Sequence, residues 1–326
     1  MKALLCKSFG TPDSLVIEDL PPTSPAKDEV KIQIHAASVN FPDVLMIQGK
    51  YQFKPDMPFS PGGECAGEIL EIGEDVQGFK VGDRVIAVTG FGGFREELNV
   101  KSERLFKMPA KMDYNTAAAF VMTYGTSYHA LVQRAQLKAG ETLLVLGAAG
   151  GVGLAAVEIG KNLGATVIAA ASTNEKLEVC KKAGADQLIN YSDGPELKEQ
   201  IKALTGGRGA DVIYDPVGGD LFDQSLRCIN WNGRILVVGF ASGRIPEIPA
   251  NLVLLKSCQI IGVFWGAFTT KEPSVHLSNM KTLLEWFSSG KIKPFVSKTF
   301  PLENASEALN AMLNRSVTGK VVVVIK

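Results

Sequence analysis

The stretch Leu146-Gly147-Ala148-Ala149-Gly150-Gly151-Val152-Gly153 places small residues where an apolar strand pattern gives way to a helical one. Gly150 and Gly151 carry no side chain, so the backbone can come close to a pyrophosphate. The free N–H groups of a first helical turn holding Gly151, Val152 and Gly153 attract the anion. Ala148 stands where the usual first glycine would be and still fits a tight turn. In this strand, loop and helix context the run is a strong dinucleotide fingerprint; the competing reading is a glycine-rich helix start needed only for packing on a sheet. Nineteen residues past Gly153 comes Ser172, at the end of Ala169-Ala170-Ala171, where an NAD enzyme keeps a carboxylate for the ribose hydroxyls. No acid is there. The Ser172 hydroxyl, the N–H groups of the next helix and the Lys176 ammonium one turn on suit a 2′-phosphate. The expected cofactor is therefore NADPH, with Glu175 as a contrary sign and a solvated helix lysine as the plain reading of Lys176.

Zinc-assisted hydride transfer needs Cys or His ligands gathered in space. His35, His129 and His276 are scattered and no Cys-x-x-Cys occurs, so no metal site is expected. His35 lies in an alternating strand and His129 in a helical pattern, and both read as structural. Without a Lewis acid an alcohol has no agent to activate it, and a substrate that readily accepts hydride fits better. The five cysteines are odd in number and far apart, which reads as reduced thiols.

These residues need elements to hold them. A length of 326 residues corresponds to about two domains, which normally leave a cleft. Residues 1 to about 120 carry short β-type runs, such as Val30-Lys31-Ile32-Gln33-Ile34 with period two, and read as an all-β module. From about 125 the pattern alternates. Strands are expected at 143–146, 166–169, 187–189, 212–214 and 234–238, with helices at 150–163, 175–182, 196–204 and 221–229, a doubly wound parallel sheet. A helix at 280–288 and a strand at 320–325 read as a return to the first module. The expected boundaries are 1–124, 125–266 and 267–326.

Composition excludes other classes. Thirty-four basic residues balance 34 acidic ones, so no global field favours nucleic acid or anionic membrane. A hydrophobic content of 46% supports a large core and excludes intrinsic disorder. The uncharged stretch Thr142 to Val157 holds four glycines and is short of the roughly 20 apolar residues of a membrane span. The apolar run after Lys2 is too short for a secretory signal, and the expected compartment is the cytoplasm.

The runs Ala37-Ser38-Val39-Asn40-Phe41-Pro42-Asp43, Pro61-Gly62-Gly63-Glu64-Cys65-Ala66-Gly67 and Val81-Gly82-Asp83-Arg84-Val85, together with the glycine loop, resemble the zinc-free quinone oxidoreductase (ζ-crystallin-like) branch of the medium-chain dehydrogenase/reductase superfamily over the whole chain. The resemblance implies an α/β protein in which a GroES-like catalytic domain is interrupted by a Rossmann domain. Asn40 and Gly63 stand where zinc-containing relatives carry a cysteine and a histidine, and their four-cysteine lobe is absent. The resemblance further puts Asn40 and Thr126 near the nicotinamide ribose and Gly150 to Gly153 at the pyrophosphate. It puts Ser172, Lys176 and Tyr191 around the 2′-phosphate, and Val238-Gly239-Phe240 and Phe264 at the nicotinamide. Tyr51 matches an active-site tyrosine, while Leu45 replaces a second one common in the family. Asn40 as a turn residue and Tyr51 as a surface aromatic are the plain alternatives. Asp43 and Glu64 read as structural, and Trp265 as an apolar wall.

The leading expectation is hydride transfer from NADPH to a quinone or another conjugated carbonyl, with Tyr51 and Asn40 as donors to the oxygen that gains charge. An enoyl thioester or 2-alkenal reductase is the near alternative. A non-enzymatic NADPH-binding protein, structural or RNA-binding, is the distant one. The apolar run Gln259-Ile260-Ile261-Gly262-Val263-Phe264-Trp265 is expected as a sixth, edge strand that pairs with a second copy in a homodimer.

Overall fold

The computed structural model describes all residues from Met1 to Lys326. The chain divides into two compact units, one formed by Met1–Met122 with Pro294–Lys326 and the other by Thr123–Lys293.

In the first unit a long strand, Glu29–Ser38, is the spine of the main sheet. Val30, Ile32 and Ile34 on it are fully buried, which the period-two pattern requires. It pairs antiparallel with Glu64–Ile72 on one side and with Lys320–Val324 on the other, Val322 opposite Ser38. Glu97–Lys101 also pairs with it. The chain's last strand thus completes a sheet begun near its first residues. The unit is not all β: helices run Phe41–Ile47, Tyr114–Ala118 and Ala305–Leu313. The first starts at Asn40, whose backbone N–H donates to Asp43 Oδ2 at 2.7 Å, and Pro42 in the first turn gives up no helical hydrogen bond. These short helices escape a strand-based reading because each spans only a turn or two beside stronger β patterns.

The second unit holds a six-stranded parallel sheet in the spatial order Gln187–Asn190, Thr166–Ala171, Thr142–Val145, Ala210–Asp215, Ile229–Val237, Gln259–Gly262. This is the doubly wound order, in which ligands meet the carboxyl ends of the strands where the order reverses. Leu143, Leu144, Val145 and Leu146 are all fully buried, as a strand covered on both faces demands, and each contributes about 1.5–3 kcal/mol of burial. Helices Gly151–Asn162, Asn174–Lys182, Leu197–Leu204 and Gly219–Cys228 supply the crossovers. Ile229–Val237 begins well before residue 234, with Asn232 at a positive φ of 59° inside it.

Gln259–Gly262 lies at the sheet edge, as its composition suggests, but the strand stops there, and Trp265 opens the helix Trp265–Lys271. A second helix, Pro273–Ser288, follows. Both belong to this unit: the Trp265 ring lies against Gly125, and His129 stacks on Phe268 at 3.8 Å. The return to the first unit is therefore at Pro294, later than residue 267. Glu158 ties the two ends of this unit together, since its carboxylate accepts from the Tyr124 hydroxyl at 2.6 Å and from the Lys293 backbone N–H at 3.1 Å. Burial pushes the Glu158 carboxyl above its ordinary range. No helix is long and apolar enough to cross a membrane.

Candidate functional site

The site residues fall into two groups, one in each unit. In the second unit, the strand Thr142–Val145 continues into the glycine loop, where the Leu146 N–H donates to Tyr214 O and the Ala148 N–H to Ala170 O, both at 3.0 Å. Gly147 takes a φ of +56°, which only glycine adopts freely. A Cβ on Gly153 would lie 2.5 Å from Gly147 O, so the helix can start against the loop only with glycine there. Gly150 caps the helix Gly151–Asn162, and Val152 lies in its first turn. Ala148 is fully buried and accommodated. The Ser127 hydroxyl donates to Val152 O at 2.8 Å and shares a hydrogen bond with the Tyr214 hydroxyl at 2.9 Å. This holds the helix Val121–Tyr128, with half-buried Thr126, against the loop.

The next strand along the sheet ends at Ala171. Beyond it the Lys176 ammonium donates to Ser172 Oγ at 3.3 Å, and Thr173 caps the helix that carries Lys176. The Tyr191 backbone N–H donates to Ala171 O at 3.1 Å, which brings Tyr191 beside Ser172. The three residues expected around a 2′-phosphate thus lie just past the ends of two neighbouring strands, Thr166–Ala171 and Gln187–Asn190. On the other side of the loop, Val238 and Gly239 donate backbone N–H groups to Asp215 O at 2.9 and 3.3 Å, and Phe240 follows them. Asp215 is a residue the sequence reading missed. Its buried Oδ1 accepts from Val217 and Gly218 N–H at 2.7 and 2.9 Å, fixing a turn whose Val217 packs on Gly147. The Asp-Pro-x-Gly-Gly run at a strand end was its available signal. Phe264 is 59% exposed, whereas Trp265 is 93% buried with its Nε1–H unpartnered.

In the first unit, Asn40 joins a buried network with Ser38, Asp43, Glu64 and Lys320. Lys320 Nζ donates to Asn40 Oδ1 at 2.6 Å, to Val39 O at 3.0 Å and to Glu64 Oε1 at 3.4 Å. Asn40 Nδ2 donates to Ser38 Oγ at 3.1 Å and Glu64 Oε1 at 3.2 Å, and the Ser38 hydroxyl donates to Glu64 Oε1 at 2.7 Å. Glu64 Oε2 accepts from the Met122 N–H at 2.9 Å. Asp43 accepts from Asn40 and Gly62 N–H, and burial pushes its carboxyl up to about 7. Burial likewise lowers the Lys320 ammonium from its ordinary value, against the pull of Glu64 and Asp43. Tyr51 packs on the adjoining core, and its hydroxyl has no partner within the protein. Burial, then the Asp43 carboxylate, raises its phenol. Lys320 was missed although a lysine opening the run Lys320-Val321-Val322-Val323-Val324 marks a charge that must be answered inside.

No three His, Cys, Asp or Glu side chains gather where a metal ion could be held. His276 is pushed down to about 4, by burial first and by His129 second. All five cysteines are buried and free.

Residues 151–288 match the family described as zinc-binding dehydrogenase, and residues 26–110 match the alcohol dehydrogenase GroES-like domain. The chain is 42% identical over 99% of its length to a quinone oxidoreductase-like protein 2 homolog of Nematostella vectensis, covering 88% of that protein. It is 32% identical over its full length to human quinone oxidoreductase, covering 98% of it. The solved structure of Escherichia coli quinone oxidoreductase complexed with NADPH superposes with a TM-score of 0.92 at 29% identity, over 99% of this chain and all of that one.

Proposed function

Since the chain belongs to the quinone oxidoreductase branch of the medium-chain dehydrogenase/reductase superfamily, we propose that it uses NADPH to reduce a quinone or another conjugated carbonyl, without zinc. The observation that carries the reading is the carboxyl edge of the parallel sheet, where a glycine loop adjoins a Ser172–Lys176 pair and no acid. A 2′-phosphate there meets a hydroxyl and an ammonium in place of a repelling carboxylate.

NADPH fits the residues present, and when bound it supplies the hydride. Backbone N–H groups of Gly151, Val152 and Gly153 hold the pyrophosphate, and Ser172, Lys176 and Tyr191 hold the 2′-phosphate. Within the second unit, Val238, Gly239, Phe240 and Phe264 would flank the nicotinamide and Thr126 would meet its ribose. Zinc does not fit, because an amide and a glycine stand where thiolate and imidazole ligands would be needed. Tyr51 has its hydroxyl uncommitted and is the donor to the acceptor's oxygen as that atom gains charge; water returns the proton. Two copies pair through their Gln259–Gly262 edges, whose outward N–H and C=O groups have no neighbouring strand.

The test is a panel of quinones, enals and enoyl thioesters at saturating NADPH, ranked by kcat/KM. Quinones or enones should lead. Enoyl thioesters leading would reassign the substrate, and tight NADPH binding with no turnover on any acceptor would make the protein a binding protein.

A further inference from the structure

Arg95, in the first unit, carries a charge that the protein does not answer. It faces Ala3 across a short antiparallel bridge and is half-buried. Its Nε–H is sealed from solvent with no acceptor, and its two terminal nitrogens, which solvent reaches, make no hydrogen bond or ion pair with any other residue. The neighbouring Glu96 is committed elsewhere, accepting from the Lys2 N–H at 2.7 Å. Burial lowers the Arg95 guanidinium from its ordinary value, and only Cys65 opposes this. That thiol is itself pushed up to about 12, by burial first, so it stays protonated at neutral pH and supplies no counter-charge. Arginine cannot shed its own proton in a protein. A full positive charge therefore stands at the end of a packed stem, open only at its tip.

Such a group is built to receive an anion. A packed stem has given up much of its rotamer freedom before a ligand arrives, which lowers the cost of binding. The planar fork matches a carboxylate, two N–H groups to two oxygens. No second cation acts on Arg95, so one positive charge meets one negative charge; a phosphate carrying roughly two charges at neutral pH would leave one of them unmatched. Gly92 leaves the tip uncovered: a Cβ there would lie 3.9 Å from Arg95 Nη2. A short run of contacts links this tip to Tyr51. The Gly93 N–H donates to Gly62 O at 2.9 Å, the Gly62 N–H donates to Asp43 Oδ1 at 3.1 Å, and the Asp43 carboxylate acts on the Tyr51 phenol.

We propose that Arg95 binds a carboxylate, and that the conjugated carbonyl acceptor of this protein carries one. The second half rests on the reductase reading above and deepens it by naming the class of acceptor.

The test compares 4-oxopent-2-enoate, a conjugated ketone with a carboxylate, with its methyl ester, which keeps the enone and loses the charge. With wild type at saturating NADPH the acid should show a KM about tenfold below that of the ester. Arg95→Met should erase the gap by raising KM for the acid, with KM and kcat for the ester unchanged. Arg95→Lys should restore only part of it, since an ammonium keeps the charge and lacks the fork. The saturated analogue 4-oxopentanoate, titrated by NMR into the full chain without cofactor, reads binding apart from turnover: wild type should bind it more tightly than its methyl ester, and Arg95→Met should not. Acid and ester alike in wild type, or an acid preference that survives Arg95→Met, overturns the inference. A large fall in the denaturant midpoint of Arg95→Met does the same, because a guanidinium that the protein leaves unanswered costs little to remove. Preferred binding of 4-oxopentanoate with no turnover of either enone overturns the reductase reading and leaves the carboxylate site standing.

Discussion

Lys176→Met removes one charge and keeps most of the side-chain stem, so it isolates the electrostatic part of 2′-phosphate recognition. The ammonium lies 3.3 Å from Ser172 Oγ on a half-buried side chain. A hydrogen bond involving a charged group contributes about 1.5–3 kcal/mol. Two features push the value to the low end. Partial exposure lets salt screen the charge, and neighbouring Glu175, held below its ordinary range by hydrogen bonds from its own backbone N–H and from Thr173, stays ionised and repels a phosphate. A loss of about 1.4 kcal/mol corresponds to a tenfold rise in Kd. Titration of wild type and variant with NADPH and NADH, at low and high salt, reads this directly. NADPH should weaken by about tenfold, NADH should hardly change, and the salt dependence of NADPH binding should become shallower. Equal losses for both cofactors would refute the reasoning, because the lysine would then be acting on the loop or on the fold.

Ser172→Ala removes one neutral partner of the same phosphate and should cost NADPH about 1 kcal/mol, roughly a fivefold rise in Kd by titration. Prolonged chelation followed by elemental analysis should leave activity intact and find no stoichiometric zinc; activity lost to chelator and restored by zinc would reverse the zinc-free reading. Gly262→Lys puts a charge at the sheet edge, where a Cβ has nothing within 4 Å, and should lower the sedimenting mass toward a monomer. Asp43, pushed from 3.8 to about 7 by burial, binds its proton more tightly in the folded than in the unfolded chain. Stability carried by this group is therefore present at low pH and lost as pH rises toward 7. Denaturant midpoints across that window should fall more steeply in wild type than in Asp43→Asn.

The second unit was legible because its signals are local. A glycine run between an apolar strand and a helix, and a serine where an acid belongs, need no knowledge of distant residues. The return of the last strand to the first unit came less directly, through the resemblance and a return of β character near residue 320, and its pairing with Glu29–Ser38 did not come at all. Hidden from sequence were contacts across long separations. Lys320 and Asn40 lie 280 positions apart, and nothing near either residue says that the ammonium donates to the amide oxygen. The Val263 N–H is a similar case. It donates to Val237 O at 2.9 Å within its own sheet, a partner that nothing adjacent to it in the sequence announces. The helices after Gly262 were obscured by an apolar run that continues unbroken into Trp265, and apolar runs of that length do not distinguish strand from helix.

The clasp made by Glu158 has a consequence for the order in which a ribosome-bound chain matures. Every residue of the second unit, and the carboxylate that joins its ends, has been synthesised by Lys293, so this unit can close while the rest is still being made. The first unit cannot. Its spine strand waits through about 280 further residues, some 14–56 s at about 5–20 residues per second, before Lys320–Val324 arrives to cover one flank. During that interval Ala36, Ala37 and Ser38 present an unpaired edge, and the ammonium that answers Glu64 does not yet exist in the polypeptide. Nascent chains halted after Lys293 should therefore yield a protease-resistant fragment from the middle of the sequence before any from its beginning.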